Sequence, residues 1–196
     1  MDNFRFNLIK SEIAKELVRG LLEDSGYNAY AFGYLSWLSH IRYHVKMKCP
    51  PQTDSIKRLR STPDLIVFDE QNGETWYVDV KFRRTDNPRE VKLQAESLVW
   101  YQQYWNDSVL VVVVPTDHIF YAQYVNNLGQ LSCISKHEGC IYDVTKDFLP
   151  IEEIFRSVDQ DTIKKYHSLY SKFPMMNIHP GLDEEFYDDY DVERPY

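Results

Sequence analysis

The 196-residue chain has little cysteine, no long apolar run and no surplus of positive charge. No stretch reaches the roughly 18 consecutive apolar residues of a membrane span. The first residues, interrupted by Asp2, Arg5 and Lys10, lack the apolar core of a secretory leader. A cytoplasmic protein with no membrane partner is therefore expected. The three cysteines, Cys49, Cys133 and Cys140, form no Cys-x-x-Cys pair. Cys133 and Cys140 can lie close in a loop, but ordinary reduced thiols are expected rather than a disulfide or a zinc site. The histidines are scattered without metal-ligand spacing, and His40 and His44, four apart, read as a solvent-facing pair. There is no internal repeat and no nucleic-acid recognition motif of known code.

The net charge is −8, which at first sight argues against a nucleic-acid partner. Its distribution reverses that reading. Asp183, Glu184, Glu185, Asp188, Asp189, Asp191 and Glu193 face only Arg194 in the last fourteen residues, so the body without this tail is nearly neutral. Within the body, Lys57, Arg58, Arg60, Lys81, Arg83 and Arg84 crowd one stretch of sequence. Fields are screened beyond about 8 Å at physiological salt, so a phosphate backbone feels such a local patch before it feels the total. Lys57, Arg58, Arg60, Arg83 and Arg84 are the candidate nucleic-acid contacts. Residues 1–173 read as one domain and 174–196 as an acidic, extended or disordered tail, either a solubilising segment or a site for a protein partner or for the basic cleft.

Leu8 to Asp24 reads as a helix with Asn7 as N-cap and Gly26 just past its end; Ile9, Ile13, Leu17 and Leu21 recur every four residues. Gly20 inside it marks either a weak point or a close approach to a strand. Tyr27–Tyr34 alternates like a strand, and Leu35–Lys48 reads as a short helix or an irregular segment ended by Cys49-Pro50-Pro51. Leu65–Phe68 and Thr75–Phe82 flank a turn containing Asn72-Gly73, a hairpin signal. Thr85-Asp86-Asn87-Pro88 starts a helix expected to run to Tyr104. Val109–Val114 is a strand buried on both faces, expected to run parallel to Thr75–Phe82. Ile119–Val125 and Leu131–Ser135 look like a further hairpin at the sheet edge. Ile151–Ser157 and Thr162–Ser171 read as helices.

The chemistry concentrates on the central hairpin. Asp64 precedes its first strand, and Asp79 and Lys81, two apart, leave one face of its second. In the simplest register all three meet at the end of an apolar sheet, where unpartnered charge is costly to desolvate. Two carboxylates suit a hard cation such as Mg²⁺, which keeps several waters and uses one or two protein carboxylates plus substrate phosphate. Lys81 can orient a metal-bound water or stabilise charge on a phosphate.

Pro63-Asp64, then Asp79-Val80-Lys81 fifteen residues on from the first acid, resembles the signature of the PD-(D/E)XK nuclease superfamily. The order of elements over residues 8–114 is similar to its restriction-endonuclease-like αβββαβ core, a central mixed sheet flanked by helices, and most similar to the small Holliday-junction-resolvase-like members. The resemblance implies a metal-dependent endonuclease that hydrolyses DNA phosphodiester bonds with Mg²⁺ or Mn²⁺. It makes Asp64 and Asp79 metal ligands and Lys81 the water-orienting cation. It also implies a Glu from the first helix and a Gln or Tyr from the helix after the hairpin, for which Gln102, Gln103 and Tyr101 are candidates. Resolvase-like members place the helical Glu eleven residues before the Gly that closes the helix. That position is Lys15 here, so Glu16, as a third metal ligand, or Glu12 has to substitute. DNA is the implied partner, with a homodimer an open option for cutting two strands. The rival reading is a catalytically silent relative that binds nucleic acid or a protein.

Overall fold

A computed structural model describes residues 3–32, 53–82, 89–114, 118–129, 133–135 and 139–173. The expected elements within 33–52, the Arg83–Pro88 segment and the acidic tail lie outside the described residues. Helix α1 spans Asn3–Asp24 and so starts earlier than expected, with Asn7 inside it rather than capping it. It ends as expected: Gly26 adopts φ +90°, the Gly26 N–H donates to Glu23 O (3.0 Å) and the Tyr27 N–H to Leu22 O (3.0 Å). This is the paired closure that a left-handed glycine permits.

Strand β1 is Asn28–Ala31, and helix α2 is Asp54–Arg60, capped by the Thr53 side chain. The hairpin forms from β2, Leu65–Asp69, and β3, Glu74–Phe82. Asp69 fixes its turn by accepting from the Gln71 and Asn72 N–H groups (2.9 and 3.1 Å), while Gly73 supplies φ +68°. Then come β4, Glu90–Leu93, helix α3, Ala95–Tyr104, and β5, Val109–Val113. The chain continues with β6, Phe120–Tyr124; β7, Cys133–Ser135; β8, Gly139–Asp143; α4, Val144–Asp147; β9, Leu149–Pro150; α5, Ile151–Ile154; and α6, Gln160–Ser171. The described strands form a six-stranded mixed sheet, β1-β2-β3-β5-β6-β9, and a three-stranded sheet, β4-β8-β7. β3 and β5 are parallel, as expected for strands joined through a helix, and β1-β2-β3 and β5-β6-β9 are antiparallel. Within the central sheet and its helices the order helix, three strands, helix, strand is the αβββαβ order anticipated, with α2 inserted after β1 and β4 after β3.

Further sequence expectations are corrected. The helix placed from Pro88 to Tyr104 begins only at Ala95, because Glu90-Val91-Lys92-Leu93 alternates with period two and pairs antiparallel with β8. The hairpin of Ile119–Val125 with Leu131–Ser135 does not form: β9 takes the free edge of β6, and β7 pairs with β8. Cys140 is not a reduced thiol but disulfide-bonded; the residue opposite it in the β7–β8 register is Cys133.

The central sheet is packed on both faces. Val78 and Val80 of β3 and Val109, Val111 and Val113 of β5 join Ala14, Val18 and Leu21 of α1 and Ile163, Tyr166 and Tyr170 of α6. Leu110, Val112 and Val114 join Leu98 and Tyr101 of α3 and the inner residues of the smaller sheet. Gly20 marks a close approach, to a helix rather than a strand: a Cβ there would lie 2.6 Å from Tyr166 Oη, which itself donates to Asp24 (2.7 Å).

Candidate metal-phosphate site

The pairing Leu65↔Val78 sets Asp64, one residue before β2, opposite Asp79. On β3 the side chains alternate, so Val78 and Val80 enter the α1 side of the core while Asp79 and Lys81 face α3. Their neighbours on β5 are Leu110 and Val112, which makes Asp79 a carboxyl set into an apolar face. Its side chain is fully withdrawn from solvent, at 2% exposure. Burial is the largest influence on it and pushes its pKa up to about 6; Lys81 opposes that shift, Asp64 adds to it by charge repulsion, and the Tyr101 hydrogen bond and Lys15 oppose it.

Each carboxylate has its own ammonium. Lys81 Nζ lies 3.3 Å from Asp79 Oδ2, an ion pair that lacks hydrogen-bond geometry, and 5.6 Å from the Tyr101 ring centroid. The Tyr101 hydroxyl donates to Asp79 Oδ1 at 2.9 Å. Asp64 Oδ2 accepts from the Val80 N–H at 2.9 Å, which locks it to β3, and Asp64 Oδ1 pairs with Lys15 Nζ at 3.0 Å. Thus the three residues singled out on the hairpin converge, and two side chains from flanking helices complete the cluster.

The first helix contributes a lysine where an acid was sought. Glu12 is exposed and accepts from Lys15 (3.2 Å), and Glu16 is exposed and pairs with Arg19. The physical reason lies in the buried stripe. It comprises Ala14, Leu17, Val18, Leu21 and Leu22, while Ile9 and Ile13 are only partly buried. At about 100° per residue, Lys15 then falls beside Leu22 at the edge of that stripe, and Glu16 falls nearly opposite its centre.

Of the residues proposed after the hairpin, Gln102 donates to Leu128 O (2.6 Å), a structural contact, and Gln103 is exposed. Tyr101 alone of the three touches Asp79. Its signal was its core-side position on α3, one residue ahead of the two glutamines. On α2, Lys57 is half-buried beside Asp54, and Arg58 is exposed with its guanidinium 5.6 Å from the Trp105 ring centroid. Arg60 is buried at 6% exposure, which leaves it little surface to offer a phosphate. Arg83 and Arg84 lie outside the described residues. An aromatic group that composition alone did not single out flanks the acids. Tyr77, on the same face of β3 as Asp79, contacts Phe32 (ring centroids 5.1 Å apart) and Trp105 (5.4 Å).

Among the described residues, no three or more His, Cys, Asp or Glu side chains gather into a metal-binding group. Two carboxylates nonetheless fit Mg²⁺ or Mn²⁺, which uses one or two and fills its shell with water and phosphate oxygens. Asp79 Oδ2 is buried, faces the Lys81 ammonium and receives no hydrogen bond, which leaves it acceptor capacity that a metal ion could use.

The chain is similar to a resolvase structure. That structure is Archaeoglobus fulgidus Hjc, a Holliday junction resolvase from an archaeal hyperthermophile, with TM-score 0.45 and 15% identity over 76% of this chain and 99% of that one. No protein-family model matches the sequence, and no curated protein matches it.

Proposed function

We propose that the protein is a metal-dependent nuclease that hydrolyses DNA phosphodiester bonds at Asp64, Asp79 and Lys81. The observation that carries this reading is the convergence of two carboxylates and a lysine at one end of the β2–β3 hairpin, with Asp79 buried and one of its oxygens without a hydrogen bond. Asp64 and Asp79 would hold Mg²⁺ or Mn²⁺, which when bound supplies a more acidic water and a positive charge for the phosphate. Asp64 is kept in place by the Val80 N–H and Asp79 by the Tyr101 hydroxyl, so neither has to be ordered when substrate arrives. Lys81, anchored against Asp79 and the Tyr101 ring, would donate to a metal-bound water or a phosphate oxygen brought to the two acids. Lys57 and Arg58 on α2 would take neighbouring phosphates. Because one such site cuts one strand, the reading includes a homodimer on duplex or branched DNA, and it places the protein in the cytoplasm.

The test is incubation of the full chain with supercoiled plasmid, branched DNA and RNA, with and without Mg²⁺ or Mn²⁺. Metal-dependent cleavage of DNA is expected, reduced at least a hundredfold by Asp79→Ala and by Lys81→Ala, as is typical when a group that stabilises transition-state charge is removed. Cleavage that survives both substitutions would overturn the site assignment. A second reading, a fold retained for binding without cutting, draws on the lysine found where a third acid was sought. DNA binding without cleavage under every metal condition would establish it.

A further inference from the structure

Lys15 is an unusual neighbour for a carboxylate expected to hold a metal. Asp64 Oδ2 is already committed to the Val80 N–H, and Oδ1, the oxygen left for a cation, lies 3.0 Å from Lys15 Nζ. The contact is sheltered, with the side chains of Lys15 and Asp64 only 13% and 17% exposed. Glu12, one turn back on α1, accepts from the same ammonium at 3.2 Å and orients it. Unlike a surface pair, an ion pair this sheltered is only weakly screened by salt.

Asp64, Asp79 and Glu12 face Lys15 and Lys81, so the cluster carries a single formal negative charge before any ion arrives. One divalent cation brings it to +1, and the phosphodiester group of a bound strand returns it to neutral. A second divalent cation would leave a large excess of positive charge in a partly buried site, which low local polarity makes costly.

We propose that Lys15 is a resident cation that competes with divalent metal for Asp64 Oδ1, so that the site takes a single, weakly held ion whose binding is strengthened by the substrate phosphate. The inference rests on the nuclease reading above and assigns Lys15 a positioning and gating role in it. The ammonium holds Asp64 in its liganding orientation while no metal is present, and yields Oδ1 when the ion enters.

Calorimetric titration of Mn²⁺ into the full chain without DNA tests this, with the melting temperature of each protein measured alongside. Lys15→Gln and Lys15→Met both keep most of the aliphatic stem and remove the charge, and each should bind Mn²⁺ at least tenfold more tightly than the wild type, a lower bound for deleting a unit charge within a few ångströms of a divalent ion. Lys15→Arg should bind as the wild type does. A lysine with a purely structural role would lower the melting temperature in these variants without tightening Mn²⁺. Unchanged or weaker binding in both neutral variants would therefore overturn the proposal while leaving the metal reading standing. If neither the wild type nor the neutral variants bind Mn²⁺ at millimolar concentrations, the metal-dependent reading falls and this inference with it.

Discussion

At the scale of single residues, Asp79 is a carboxyl whose burial makes stability depend on pH. Its pKa stands at about 6 in the folded chain because it is buried, against an ordinary value of 3.8. Between those two values the folded protein holds a proton that the unfolded chain has released, so stability in the absence of metal falls as pH rises from about 4 to about 6. The fall should be on the order of 1–3 kcal/mol, since a tenfold change in proton affinity corresponds to about 1.4 kcal/mol. In Asp79→Asn this step disappears. Urea unfolding at pH 4.5 and pH 7 measures it, and parallel pH dependences in the two proteins would contradict the buried-carboxyl account. The acids and the lysine of this site were legible because each strand side chain has only two directions to point and the Asn72-Gly73 turn fixes the register. The helical partner was not. A helix offers a continuous choice of direction, and although Lys15 stood at the expected place eleven residues before Gly26, it was passed over for Glu16 and Glu12 because an acid was sought there. Tyr101 was visible as one of three candidates, and only its packing against β3 distinguishes it from Gln102 and Gln103.

At the scale of elements, α2 separates contact from support. A basic run in sequence reads as a single patch, but a seven-residue helix has an outside and an inside, so Arg58 stacks in the open on Trp105 while Arg60 is buried. Alanine at Lys57 or Arg58 should weaken DNA binding roughly uniformly across sequences and reduce the slope of log affinity against log salt by about 1 each. Arg60→Ala should leave that slope unchanged and lower the melting temperature. Fluorescence anisotropy from about 50 to 300 mM salt, with thermal melts on the same samples, reads both effects. A lowered slope in Arg60→Ala with an unchanged melt would reverse the assignment. The long, strongly patterned elements, α1 and β5, were readable, as was the hairpin with its turn. The small sheet was not, because β4 has four residues and its partner β8 lies some fifty positions later in the chain. Local pattern could therefore neither distinguish β4 from the first turn of a helix nor detach β7 from β6.

For the whole molecule, the net charge of −8 bears directly on the proposed DNA partner. Most of that charge sits in residues 183–196, outside the described fold, where seven acids face one arginine. The central sheet, with α1 and α6 on one face and α3 on the other, carries the acid–lysine cluster and the basic turn of α2 in a nearly neutral body. A tethered acidic segment repels a phosphate backbone or competes with it for those lysines and arginines, and both effects depend on ionic strength. Deleting 183–196 should therefore raise DNA affinity about threefold or more at 50 mM salt, and the gain should shrink toward nothing near 0.5 M, where screening is nearly complete at a few ångströms. Equal affinities for the full and shortened chains at low salt would show that the tail neither repels nor competes. A gain that persists at high salt would instead point to a non-ionic contact, one made by its tyrosines and Phe186 rather than by its charge.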